Sequence, residues 1–159
     1  YFVFLSDGPG KSTADFSAAK LIEATGLIGL SQETEEWCHL QYFDDINEGP
    51  PTFLICSGKR GLDRVKEVIK VMKRVNRNII LVSTKFEASN IQGFDHFLPI
   101  CGDIRDEFRP IIDAVACELF AASLSEKLNC NYFRQGKKNF EIGNGIRESE
   151  VMEFQDFLS

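Results

Sequence analysis

Short apolar runs alternate along this chain with longer stretches of helical periodicity. Tyr1-Phe-Val-Phe-Leu5 is a run of the first kind, closed by Ser6-Asp-Gly-Pro-Gly10, the pattern of a buried strand entering a loop. A helix is predicted from about Thr13 to Thr25, with Ala14, Ala18, Leu21 and Ile22 on its packing side and Ser12 or Thr13 as its cap. Further strands are predicted at Leu27 to Leu30, Thr52 to Cys56, Asn78 to Val82 and, more weakly, Phe97 to Ile100. Continuous apolar strands suit a sheet covered on both faces.

Between the third and fourth strands, Leu62, Val65, Val68, Ile69 and Met72 share one face of a helix predicted over Gly61 to Val75, while Lys66, Glu67, Lys70 and Lys73 look outward. Asn76 is placed to end it, because Asn tolerates the left-handed conformation. Strand, helix and strand in this order call for a right-handed crossover and parallel pairing. A longer helix is predicted from about Asp106 to Leu128, with Pro110 in its first turn. Its centre (Ile111, Ile112, Val115, Ala116, Leu119, Phe120) is apolar on more than one face, which implies deep burial or a subunit contact. Tyr132 to Arg147 is basic and then Gly-rich, and Glu148 to Leu158 has the pattern of a short closing helix.

The fold class expected is therefore α/β, a three-layer sandwich with a mostly parallel sheet, in which ligands gather at the carboxyl ends of the strands. That expectation puts the loops after Leu5, Leu30 and Cys56 near any site. With 159 residues, 43% of them hydrophobic and 14 Phe, the chain is long enough for one domain with a sizeable core. A net charge of −6 argues against a general nucleic-acid binder or a protein held to anionic lipid. Five Cys without a CxxC pair fit reduced, cytoplasmic surroundings better than a disulfide framework. No apolar run approaches the roughly 18 residues that a membrane span needs. The start at Tyr1, directly in a strand-like run, suggests a piece cut from a longer polypeptide.

Gly8-Pro-Gly-Lys-Ser-Thr13 invites a reading as a phosphate-binding Walker loop. The full motif needs a Gly five positions before Gly10, where this chain has Leu5, and no strand ends in the Asp that would hold magnesium. The loop is read instead as a turn whose glycines let the chain leave the sheet, with an anion contact through helix amides as the intermediate case.

Two further features carry chemistry. His39 lies in Glu35-Glu-Trp-Cys-His-Leu40, with two carboxylates within four residues, and a carboxylate beside an imidazole shifts and orients it for proton transfer. His96 reads as a strand-edge or surface residue. On the first helix Lys20 and Glu23 are three apart and able to face each other. Farther on, Phe133-Arg-Gln-Gly-Lys-Lys-Asn139 puts three cations in five residues, either a solvated run or a set of donors for a phosphosugar.

Taken together, these segments resemble the sugar isomerase (SIS) domain family, and within it the second SIS half of glucosamine-6-phosphate synthases. Asp15-Phe-Ser-Ala-Ala-Lys-Leu-Ile-Glu23 is similar to the family's helix "EGALKLKE", and Glu36-Trp-Cys-His39 falls where the family has "ELKHGP", sixteen residues after the Glu. Phe133-Arg-Gln-Gly-Lys-Lys138 resembles the tail "PRNLAK". Leu40 stands where the family has Gly, the first loop reads SDGPG, and the chain continues for 21 residues past Lys138.

The resemblance implies a flavodoxin-like SIS domain over residues 1–138 and a tail with a short helix over 139–159. It implies Glu23 as the base that moves a proton between sugar carbons, His39 as the acid/base that opens the ring, and Lys138 as an amine partner of the carbonyl. Ser6, Gly8, Lys20, Glu36, Arg134 and Lys137 are the candidate substrate contacts. The ligand implied is a phosphorylated sugar or aminosugar, with no cofactor and no metal. A first SIS half or a partner subunit would complete the site, and a homodimer is expected. Cleavage of phosphorylated sugar-amine conjugates, and a non-catalytic phosphosugar-binding or dimerisation module, are the alternative functions.

Overall fold

The structure, a computed structural model, describes residues 1–43, 49–102 and 104–130. Five strands, β1 (Phe2–Ser6), β2 (Gly29–Glu33), β3 (Thr52–Ile55), β4 (Ile79–Thr84) and β5 (His96–Ile100), form one sheet in the order β2-β1-β3-β4-β5. All four pairings are parallel, from Val3 beside Leu30 to Thr84 beside Ile100. The helices are α1 (Gly10–Thr25), α2 (Thr34–His39), α3 (Leu62–Arg74), α4 (Lys85–Ala88) and α5 (Arg109–Lys127), with 3-10 turns at Gln41–Phe43 and Asp106–Phe108.

Strand alternation sorts the core into two halves. Val3, Leu5, Leu54, Cys56, Ile79 and Leu81 face one way and pack with Trp37 of α2 and with Val65, Val68, Ile69 and Met72 of α3. Phe4, Phe53, Ile55, Ile80 and Val82 face the other way, against Ala14, Ala18 and Leu21 of α1 and Cys117 of α5. Aromatic rings fill this second layer. Phe4 stacks on Phe53 at 4.7 Å between centroids, and Phe120 of α5 meets Phe53 edge-on at the same distance.

Several local expectations are corrected. β2 begins at Gly29, two residues after the predicted start, and runs on to Glu33; as an edge strand it needs only one covered face, so the polar Ser31, Gln32 and Glu33 are tolerated in it. α1 begins at Gly10 with no side-chain cap: Ser12 Oγ donates to Pro9 O at 2.7 Å, and Thr13 Oγ1 reaches Pro110 O at 3.4 Å, tying α1 to α5. Ile22 turns outward, 49% exposed, because the packing face of α1 is set by Ala14, Ala18 and Leu21. Ala14 and Ala18 are small enough to allow a close approach to the sheet: a Cβ on Gly29 would stand 2.7 Å from Ala18 O. Asn76 does end α3, with φ 57°. The predicted features beyond Cys130, including the closing helix from Glu148, lie outside the described residues.

Candidate functional site

At the carboxyl ends of the strands, where an open parallel sheet usually binds ligands, this chain has built a buried charge network. Arg109, in the first turn of α5, is 3% exposed and donates from Nη1 to Glu87 Oε1 at 2.8 Å, from Nε to Asp113 Oδ1 at 3.0 Å and from Nη2 to the carbonyl of Cys56 at 3.1 Å. Ser57 Oγ closes the ring by donating to Asp113 Oδ2. Glu87 serves twice, since it also forms a capping box with Thr84 at the start of α4. Burial pushes the Asp113 carboxyl up from its ordinary value, against the lowering effect of Ser57 and Arg109. Sequence reasoning did not single out these residues. The signals were there: Thr84-Lys-Phe-Glu87 is a capping-box pattern, and Arg109 and Asp113 are four apart on one helix.

The network lies beside the loops where a ligand was expected. A Cβ on Gly10 would meet Ser6 Oγ at 2.1 Å and Ser57 Oγ at 2.4 Å, so the loops after β1 and β3 touch. Ser6, an expected substrate contact, is 1% exposed and donates to Ile55 O at 2.7 Å. Gly8 is exposed on the same loop, with open space around it.

The second place of interest lies at the opposite end of the sheet. α1 leaves the carboxyl end of β1 and descends to the start of β2, so its last turn sits beside the amino ends of the strands. There Lys20 Nζ meets Glu23 Oε2 at 2.5 Å, the pairing that the three-residue spacing predicts. Both are partly buried, and Lys20 also lies 5.5 Å over the Phe16 ring. With Ala24 and with Glu118, Ala121 and Ala122 of α5 they line a hollow of roughly 210 Å³.

His39 is not in that hollow. It ends α2 and is exposed, because α2 turns Thr34 and Trp37 toward the core. α2 covers the face of the sheet opposite α1 and lies at the carboxyl ends of the strands, so Glu23 and His39 are separated by the sheet itself. Within this chain Glu23 and His39 are therefore not brought together. Both oxygens of Glu35 accept from Arg64, at 2.5 Å and 2.8 Å, and that guanidinium, with a smaller contribution from His39 nearby, holds the carboxyl below its usual value. Glu36 is exposed on α2. His96 is exposed at the start of the edge strand β5, as expected. Arg134, Lys137 and Lys138 lie outside the described residues. Among the described residues no group of three or more His, Cys, Asp and Glu is placed to hold a metal, and no helix is long and apolar enough to cross a membrane.

Comparison with solved structures places this geometry. The C-terminal domain of glucosamine-fructose-6-phosphate aminotransferase from Francisella tularensis matches over 82% of this chain and 36% of its own, with a TM-score of 0.74 and 16% identity. This chain has the sugar isomerase fold. Tagatose-6-phosphate ketose/aldose isomerase from Escherichia coli matches over 82% of this chain and 37% of its own at a TM-score of 0.67 and 16% identity. A sugar-phosphate isomerase from Listeria monocytogenes, so described provisionally, matches over 82% and 70% at 0.64 and 13%. The chain thus spans little more than a third of the first two structures. No family model matches the chain, and no curated protein does.

Proposed function

We propose that the chain is a phosphosugar-processing SIS domain in which Glu23 moves a proton between neighbouring carbons of an open-chain sugar phosphate. The observation that carries this reading is the Lys20–Glu23 pair at the hollow between α1 and α5. Lys20 holds Oε2 and so orients the carboxylate, leaving Oε1 to take the proton from carbon, and a carboxylate held on a packed helix is a better-placed base than one on a loop. The hollow is smaller than the roughly 300 to 1,000 Å³ of a complete small-molecule site, which fits a half-site that other residues complete. His39, on the far side of its own sheet, opens the sugar ring in a site that it shares with a second copy or with another domain of the same polypeptide. Lys138 supplies the amine that stabilises charge on the enediol oxygen.

The separation of Glu23 and His39 favours a second reading, a module that binds a phosphosugar without turning it over. Hydrogen–deuterium exchange at C1 of fructose 6-phosphate and at C2 of glucosamine 6-phosphate in deuterated water separates the two. The full-length parent protein is expected to catalyse exchange, and Glu23→Gln and His39→Asn each to abolish it while phosphosugar binding persists. If the site joins two chains, mixing the two inactive variants restores exchange: random dimers are half mixed, each with one complete site of two, giving about a quarter of the wild-type rate. Exchange unchanged in Glu23→Gln refutes the base, and binding without exchange in the wild type leaves the sensor reading.

A further inference from the structure

The buried charge network has an outer side. Glu87 and Arg109 turn inward to each other, and in both cases the residue just before turns out: Phe86 is 66% exposed and Phe108 47%. Each ring carries a cation, Lys59 Nζ at 5.8 Å from the Phe86 centroid and the Arg105 guanidinium at 4.9 Å from that of Phe108. Arg60 and Lys85 are exposed next to Lys59 and Phe86 in the chain. Because Arg109 ties the loop after β3 to α4 and to the start of α5, side chains from three separate loops are held as one surface at the carboxyl ends of β3, β4 and β5.

The neighbouring acids do not cancel this charge. Glu107 faces Arg60 at 3.7 Å, Asp106 is half-buried against Gly58, and Asp63 accepts from Lys66; Asp103 lies outside the described residues. Lys59, Arg60, Lys85 and Arg105 against Glu107 and Asp106 leave a positive surface on a chain whose net charge is −6. Two exposed rings, each beneath a cation, call for an occupant that brings carboxylates and apolar side chains together.

We propose that this surface holds the acidic segment of the same chain at residues 148–158. Those residues lie outside the described ones, and their sequence carries the match. Glu148, Glu150, Glu153 and Asp156 are carboxylates with no cation among them, and two stand directly before a ring, in Glu153-Phe154 and Asp156-Phe157. The surface offers two cation–Phe pairs and the segment two acid–Phe pairs, so ring can meet ring while carboxylate faces cation. Reach permits the contact. The 19 residues of α5 run about 28 Å away from this surface, at about 1.5 Å each, and the chain must return by that length. Residues 131 to 147 can extend to about 56 Å, at about 3.3 Å each. Tethered by such a linker, the segment is present at an effective concentration on the order of millimolar, so individually weak pairs suffice. The surface is at the opposite end of the sheet from the Lys20–Glu23 hollow, and the contact does not depend on the function proposed above.

Carbodiimide cross-linking of the full chain, read by mass spectrometry, tests the contact, because it joins a carboxylate to a lysine amine only where the two touch. Mixing unlabelled chain with chain carrying heavy nitrogen separates links within one copy from links between copies. Links from Glu150, Glu153 or Asp156 to Lys59 or Lys85 are expected within one copy, with the Lys73–Asp95 pair at 2.8 Å as the internal reference. In the double variant Phe154→Ser, Phe157→Ser, which keeps every carboxylate, these links should fall about tenfold against that reference. Phe86→Ser with Phe108→Ser should act the same way from the other side and, both rings being exposed, should leave the reference link and the circular dichroism spectrum unchanged. Tail links that survive both double variants, or that reach exposed Lys70 on α3 equally, would overturn the proposal. So would links between copies, which give the surface to a second chain, and an absence of tail links, which leaves it to a separate acidic partner.

Discussion

Removing the Asp113 carboxylate should be among the costliest single changes this fold can suffer outside its apolar core. Asp113 is fully buried and accepts from both Arg109 Nε and Ser57 Oγ, and in Asp113→Ala the 3%-exposed guanidinium keeps only Glu87 and the Cys56 carbonyl. Breaking a buried ion pair by deleting one partner costs about 3–5 kcal/mol; here Arg109 stays paired with Glu87, and the cost comes from its Nε and the Ser57 hydroxyl losing their acceptor in the interior. Taking about 4 kcal/mol and a urea slope of about 2 kcal/mol per molar, the midpoint of unfolding should fall by about 2 M. In thermal unfolding the same loss lowers Tm by about 8–16 °C for a chain of this size. Asp113→Asn keeps one acceptor oxygen for Arg109 Nε, with the amide nitrogen left to donate to a rotated Ser57 hydroxyl, and should lose about 1–3 kcal/mol. The contrast is Arg64→Ala, which breaks the exposed bidentate contact with Glu35 and should move the midpoint far less, because water screens that pair. Urea titration followed by far-ultraviolet circular dichroism at pH 7 measures all three. If Asp113→Ala falls no further than Arg64→Ala, Arg109 is hydrated in solution and the network is not what clamps α5 to the ends of β3 and β4.

Cysteine reactivity and acid stability supply two more tests. Burial pushes the Cys56 thiol up to about 12 and the Cys117 thiol to about 11, so iodoacetamide at pH 8 should label exposed Cys101 first and spare Cys56 and Cys117 until the chain unfolds; early labelling of Cys56 by mass spectrometry would contradict the packing around β3. Asp95 sits below its ordinary 3.8 because the Lys73 ion pair and the Ile79 amide outweigh the raising effect of burial. A depressed carboxyl contributes stability that is present above its unfolded value and lost as pH falls through the folded one. Asp95→Asn should therefore cost up to about 1 kcal/mol at pH 7, with the difference from wild type shrinking as pH falls below 3.8 in acid titrations of urea midpoints.

What the sequence determined by itself is the class of the fold and the pairing of neighbours along one helix. Apolar runs too short for helices, separated by stretches of helical period, dictate alternating strands and helices, because each element must bury its apolar side against the next. The Lys20–Glu23 contact and the turn at Asn76 were legible for the same reason: both are local, decided by the three-residue spacing on a helix and by the φ that Asn tolerates. β2 was misplaced because an edge strand needs no continuous apolar run, so the polar Ser31 to Glu33 carry no strand signal.

Tertiary structure alone decided where the chemistry sits. Sixteen positions along the chain say nothing about which side of a sheet a residue reaches, and the passage through β2 from α1 to α2 puts Glu23 and His39 on opposite faces. Arg109 meets Glu87 across 22 residues, and Ser57 meets Asp113 across 56, contacts that exist only because parallel strands bring their carboxyl ends together. The sequence showed that α5 carries more apolar surface than one face can bury; packing against the sheet decided that Ile112, Ala116 and Phe120 are the half it buries and that Ile111, Val115 and Leu119 are the half it leaves outside.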